Sequence, residues 1–252
     1  MKKSRSEVNS IRQKIRKLLL LLSMFLFPIT LYYFSPALII NAGLDGVVSG
    51  SFIVFVCMLI SGVFFGRLFC SYLCPAGWLQ DCACIVNDKP PKQGRKNYIK
   101  YGIWIVWIAV VVFCYVHKGQ ILKIDFFYQT EHGISVTDIY GYIIYYGIIL
   151  LILLPSLIGG TRAFCHYFCW MALFMVVGTK LRQLFHMPGL HIAIDNDKCV
   201  SCHHCKEVCP MCIDISDVAQ RGDLNMECIN CGVCVDSCLR KALTYSMRGK
   251  QK

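Results

Sequence analysis

Charge is scarce in most of this chain, and its gaps are informative. Four stretches, Leu18–Ile40, Val47–Phe65, Tyr101–Val116 and Tyr140–Ile158, hold no Asp, Glu, Lys or Arg. Spans without ionisable residues argue against an ion pump or a proton-relay transporter. The connection 41–50 lacks Lys and Arg altogether. No run interleaves basic and aromatic residues, so the net charge of +11 is not the footprint of a nucleic-acid partner. The first apolar stretch is longer than the ~7–15-residue core of a signal peptide and no A-x-A follows it closely, so it reads as an uncleaved segment, with Pro28 or Pro36 as points of bending.

What is present is apolar. The 252 residues are 56% hydrophobic with a mean hydropathy of +0.52, which suits a small membrane domain joined to one small further domain. Residues 191–252 carry eight basic and eight acidic side chains, so the positive excess lies in residues 1–190. It also alternates. Seven Lys or Arg precede the first stretch; Arg67, Lys89, Lys92, Arg95, Lys96 and Lys100 follow the second; the loop 119–137 holds only Lys123. The bias of Lys and Arg towards the cytoplasm then predicts four transmembrane helices, at a cytoplasmic or inner membrane, with both termini inside. The expected order is a basic N-terminus (1–17), an all-α four-helix membrane domain (18–169), an amphipathic interfacial connector (170–190), a small α+β domain (191–245) and a tail (246–252).

The cysteines carry the chemistry. CVSCHHCKEVCP and CINCGVCVDSCL each read C-x2-C-x2-C-x3-C. Eight thiolates so spaced are the ligand set of two 4Fe–4S cubanes, the fourth cysteine of each run serving the other cube. Cys199, Cys202, Cys205 and Cys238 are thereby assigned to cluster 1, and Cys228, Cys231, Cys234 and Cys209 to cluster 2. The fourth cysteine is expected to begin a helix leading away. Zinc favours C-x2-C pairs over triplets with a trailing cysteine, and a cytoplasmic domain keeps its thiols reduced rather than as disulfides. The run resembles the bacterial dicluster ferredoxins over residues 191–245, departing from them where Leu239 replaces the second proline.

A repeat lies upstream. GRLFCSYLC (66–74) and TRAFCHYFC (161–169) share Arg three before the first cysteine, Phe one before it and Tyr two after it. C-x3-C on a helix places both thiols on one face. Two such pairs facing one another, Cys70 and Cys74 with Cys165 and Cys169, form a candidate tetrahedral S4 centre for an iron–sulfur cluster or another soft metal, with Arg67 and Arg162 offsetting some of its negative charge. The competing reading is small apolar core residues. GRLFCSYLCPAG and TRAFCHYFCW resemble the motifs of the NapH/NosR/CcoG group of membrane-bound polyferredoxins, over nearly the whole chain. Trp170 departs from the proline of that pattern. The resemblance implies membrane-anchored electron transfer between a membrane quinol, such as menaquinol, or another redox partner and a protein partner, within a larger complex. If the chain is an enzyme, it would be a quinol dehydrogenase-type subunit. CcoG-type members imply a copper reductase or assembly factor instead, and NosR-type members a redox-sensing regulator.

Other residues carry weaker signals. Cys82 and Cys84 have no counterpart after the second motif. Cys57 and Cys114 read as packing residues, Cys212 as a spectator, and His203 and His204 as solvent-facing. His166 points away from the cysteine face of its helix. His117, Asp125, Glu131 and His132 sit on or near the outer loop as candidate proton acceptors.

Overall fold

The computed structural model describes residues 10–91, 98–120, 123–215 and 225–247. Residues 1–9 of the basic N-terminus, the loop cations Lys92, Arg95 and Lys96, and the tail from 248 lie outside the described residues. The described part is mostly helical.

Two helices are long and apolar enough to cross a membrane, judged by length and composition: α7 (Ile99–Lys118) and α8 (Ile139–Gly159). Only about a fifth of each is buried within the protein. Their outward faces carry Ile105, Val106, Phe113, Ile143, Leu150 and Ile158, all more than half exposed. Water would not tolerate so large an apolar surface on a lone soluble protein.

The other two expected spans differ. The stretch 18–40 is not one helix. α1 (Ile11–Phe25) ends before Pro28, α2 (Phe27–Thr30) and a 3-10 turn (Tyr32–Phe34) follow, and α3 (Pro36–Asp45) restarts with Pro36 in its first turn. Proline removes a backbone donor and clashes with the preceding turn, so it suits a helix start and breaks a helix interior. The stretch 47–65 begins as a strand, β1 (Val47–Ser49), before α4 (Gly50–Phe65), whose 16 residues fall short of the ~20 that span a bilayer. β1 pairs in parallel with β2 (Lys123–Asp125), tying two loops together.

The repeat is visible in the packing. After α4 come α5 (Leu68–Tyr72) and α6 (Pro75–Val86); after α8 come α9 (Ala163–Tyr167) and α10 (Trp170–Leu184). Partners are exchanged between the copies: α4 packs against α10, and α6 against α8. This crossing brings the two cysteine motifs together. α10 was expected as an interfacial connector, yet it lies along α4 and buries Met171, Leu173, Met175, Val176 and Thr179. The approach is close enough that a Cβ on Gly62 would meet the Met175 main chain at 2.7 Å.

The C-terminal part is small. β3 (His191–Ile194) and β4 (Leu243–Ser246) pair antiparallel, His191 opposite Ser246, and two single-turn helices, α11 (His204–Val208) and α12 (Val233–Ser237), lie between them. This part is not loosely tethered. Cys209, Met211, Cys231 and Cys234 share one buried core with Cys70, Cys74, Cys165 and Cys169.

Candidate iron–sulfur sites

The two C-x2-C-x2-C-x3-C runs fold alike. Left-handed residues fall at matched places: Ser201 and Asn230 before the second cysteine, His203 and Gly232 after it, and Cys212 and Lys241 three after the fourth. Alternating right- and left-handed backbone turns successive N–H groups inward into an anion-binding nest. Six of the eight ligand candidates lie outside α11 and α12, and only Cys205 and Cys234 lie within them. Cys209 ends α11 and Cys238 ends α12, both in extended backbone, so the fourth cysteine closes a helix rather than starting one. The backbone at Cys238 matches that at Cys209 although Leu239 stands where Pro210 does.

Cys199, Cys202, Cys205 and Cys238 line a single cavity of about 220 Å³, walled further by Ile194, Leu243 and Cys234. Cys202 is exposed and its three companions are half-buried. Cys209, Cys228, Cys231 and Cys234 form a second group of electrostatic neighbours, with Cys205 next to Cys234. Three of these four are buried. Burial pushes the Cys228 thiol up to about 12, and the Cys209 and Cys234 thiols also rise through burial and one another's charge. Thiols so placed become thiolates only with a cationic centre among them.

The paired motifs depart from the single-helix expectation. Each breaks between its cysteines. Cys70 lies in α5 and Cys165 in α9, whereas Cys74 and Cys169 are the residues just before α6 and α10. Cys74 N–H donates to the Phe69 carbonyl (3.1 Å) and Cys169 N–H to that of Phe164 (3.0 Å). Pro75 and Trp170 both occupy the first position of the next helix, so the replacement leaves the turn intact. The four thiols are 3–4% exposed and are electrostatic neighbours. The N–H groups of Gly77 and Ala172, in the first turns of α6 and α10, face the Cys74 and Cys169 sulfurs.

Charges surround this group. Arg67 pairs with Glu227 at 2.5 Å, as does Lys100; Asp81 pairs with Arg162 (2.8 Å) and Arg16 (3.0 Å). Arg67, Lys100, Arg162 and Arg16 are all at most 4% exposed. Burial would raise the Glu227 and Asp81 carboxyls, but the paired cations outweigh it and hold both below the usual carboxylate range. Four buried cations against two carboxylates leave two positive charges beside four thiols. Neutral core cysteines would leave that excess uncompensated, at a cost of several kcal/mol per ion. A four-thiolate iron–sulfur centre carries the opposite charge. Arg67 Nε and Nη2 are buried without a partner in good hydrogen-bond geometry while the guanidinium faces the Cys70 thiol, which also fits an anionic group among the thiols. Among the described residues no three His, Cys, Asp or Glu side chains close on one point that a single ion would fill; a cluster is larger and holds its thiolates further apart.

The cluster domain docks on the motifs. Gln13 Nε2 donates to the Cys231 carbonyl (3.0 Å) and to Asp236 (2.8 Å), and Asn230 Nδ2 donates to the Phe65 carbonyl (3.0 Å). The Thr161 hydroxyl and the Cys212 thiol lie 3.2 Å apart. Several cations read as topological markers are thus buried contacts. Glu227, Asp81, Gln13 and Gln80, whose Nε2 lies 3.1 Å from Cys165 Sγ, were not singled out from sequence. The one available signal was the position of Glu227 directly before Cys228.

Most of the remaining candidates are not brought into these sites; His203 and His204 are the exception, bordering the cavity of Cys199, Cys202, Cys205 and Cys238. Cys57 and Cys82 are exposed, Cys84 is half-buried and Cys114 is buried within α7. His203 lies at the surface with Nδ1 2.8 Å from Asp214, and His204 is likewise open to solvent. His117 lies in the last turn of α7 and Asp125 ends β2, while Glu131 and His132 lie in the following loop.

Comparison with known proteins agrees with this division. The family described as "4Fe-4S dicluster domain" matches residues 175–247, and that described as "4Fe-4S binding domain" matches 47–92 and 141–188, the two copies of the repeat. An uncharacterized protein of Methanocaldococcus jannaschii is 27% identical over 215 residues, 78% of this chain and 79% of its own length. The ferredoxin-type protein NapH of Haemophilus influenzae is 25% identical over 206 residues, 77% of this chain and 67% of its own. The putative electron transport protein YccM of Escherichia coli is 22% identical over 234 residues, 83% of this chain and 59% of its own. No solved structure matches. The cysteine pattern, the matched families and these relatives together make the chain a NapH-like ferredoxin protein with 4Fe–4S domains.

Proposed function

We propose that this is a membrane-anchored electron-transfer protein. The reading rests above all on one observation: the paired-cysteine group shares a single buried core with Cys209, Cys231 and Cys234, against which Cys205, Cys228 and Cys238 pack, and burial falls from Cys70, Cys74, Cys165 and Cys169, through Cys209, Cys228, Cys231 and Cys234, to the more open Cys199, Cys202, Cys205 and Cys238. Iron–sulfur clusters held at these sites supply one-electron redox chemistry. The chain's own residues ligate, bury and tune. The paired-cysteine group is the third centre, next to the membrane helices. The buried ferredoxin group is the middle station. The exposed group, beside Val200 and Leu239, faces a protein partner.

The donor on the membrane side is a quinol, menaquinol being the first to try, and the chain works inside a larger complex. The alternation of Lys and Arg supports a multi-pass arrangement with the ferredoxin domain in the cytoplasm. The test is anaerobic. The protein in nanodiscs is mixed with menaquinol, and cluster absorbance and EPR are followed in stopped flow beside Cys70→Ser and Cys165→Ser. Fast reduction in the parent, lost in both variants, is the expected result. Clusters reduced by dithionite but not by menaquinol would sink the quinol assignment and turn attention to copper or a protein donor.

A further inference from the structure

His166 is 2% exposed, and neither ring nitrogen has a partner in good hydrogen-bond geometry, although the Met211 main chain lies close by. A buried imidazole left without partners costs a few kcal/mol, so its retention calls for an explanation. The repeat sharpens the point. The corresponding residue of the first motif is Ser71, fully buried, whose hydroxyl is satisfied by the Leu68 carbonyl at 2.9 Å. The two copies therefore differ at this position, and only the second leaves polar atoms unpaired there.

The surroundings of His166 belong to the other domain. Successive helical residues are turned by about 100°, so His166 leaves α9 on a different side from Cys165. Its neighbours are Glu227, directly before Cys228, and the Met211 main chain, two residues after Cys209, together with Arg67 and Lys100. Each carboxylate oxygen of Glu227 is already taken, one by Arg67 and the other by Lys100. Glu227 is joined directly to Cys228 and Met211 lies two residues after Cys209, so His166 sits beside the loops that carry these two thiols of the set Cys209, Cys228, Cys231 and Cys234.

We infer that His166 donates a ring N–H to a sulfur of the cluster held by Cys209, Cys228, Cys231 and Cys234. The membrane domain thereby sets the potential of the middle station. His166 acts as a positioning and tuning residue, not as a ligand. This inference rests on the electron-transfer reading and on that cysteine assignment. A donor to cluster sulfur stabilises the more negative, reduced state and so raises the midpoint potential.

The experiment uses the full chain with its clusters, in nanodiscs. The EPR signal altered by Cys231→Ser identifies the middle cluster. Redox-poised EPR is then compared for parent, His166→Phe and His166→Gln, with iron counted in each. The expected result is unchanged iron, a lower midpoint for that signal alone in His166→Phe, and a midpoint near the parent's in His166→Gln, which keeps an N–H. Pulsed EPR on parent protein with 15N-labelled histidine should also show a weakly coupled ring nitrogen at that signal, absent in His166→Gln. That readout decides the matter even if His166→Phe does not fold. Unchanged midpoints, a shift confined to another cluster, no nitrogen coupling, or one cluster's iron lost from both variants would each overturn the donor role. A chain with no reducible cluster would overturn the electron-transfer reading, and the donor role with it.

Discussion

Removing the Glu227 carboxylate should loosen the joint between the two domains by an amount the structure allows to be estimated. Glu227 receives Arg67 on one oxygen and Lys100 on the other, both at 2.5 Å, and both cationic side chains are fully buried. Taking one partner from a buried ion pair costs about 3–5 kcal/mol, because the other charge stays buried and uncompensated. The Glu227 side chain is 22% exposed, so water entering after substitution softens the loss. Glu227→Gln is therefore expected near the low end, about 3 kcal/mol, or roughly a hundredfold in the folded-to-unfolded ratio. Lys100→Met added to Glu227→Gln removes one of the two stranded cations, so the double variant should lose less than the sum of the singles by at least about 1 kcal/mol. Urea unfolding of detergent-solubilised protein, followed by tryptophan fluorescence, supplies the free energies. Costs that simply add, or a Glu227→Gln midpoint equal to the parent's, would refute the claim that this carboxylate holds two buried cations.

Other expectations concern separate parts of the molecule. Asp81 is held below its usual value by Arg162 and Arg16 against the effect of burial. Its contribution to stability is present above the unfolded carboxylate range near pH 4 and is lost as pH falls through the lower folded value, so Asp81→Asn should remove that limb of an acid-unfolding profile. Gly62→Ala should destabilise by about 1–3 kcal/mol or more, since the new methyl meets the Met175 main chain at 2.7 Å; a thermal midpoint like the parent's would show that α4 and α10 can part without cost. Cys238→Ser and Cys209→Ser should each disturb one EPR signal, and a different one, because Cys238 shares a cavity with Cys199, Cys202 and Cys205 while Cys209 neighbours Cys228 and Cys231; the same signal lost in both would undo the crossed assignment. The outward faces of α7 and α8 predict that the chain sediments with membranes and needs detergent for release, which fractionation and a carbonate wash would check.

Much of the chemistry was legible from spacing alone. Ligand spacing is a local property: C-x2-C-x2-C-x3-C fixes which thiols a tight loop presents, and the loops at Cys199 and Cys228 fold as two copies of one design. The apolar runs that became α7 and α8 could be read because length and composition suffice for a helix with an outward apolar face. Elsewhere local rules were overridden. Pro28 and Pro36 divided the first apolar stretch, and each C-x3-C broke before its second cysteine, so its thiols meet through the crossing of α4 with α10 and α6 with α8 and not through a shared helix face. Lys100 looked like ordinary flanking charge, and Arg67 and Arg162 like partial offsets to the charge of the paired thiolates. Whether a cation faces headgroups or a buried carboxylate depends on Glu227, 160 positions from Arg67, and Asp81, 81 from Arg162. Sequence determined which atoms could bind iron and sulfur. Tertiary packing decided which charges surround them, because burial and ion pairing join residues that the chain keeps far apart.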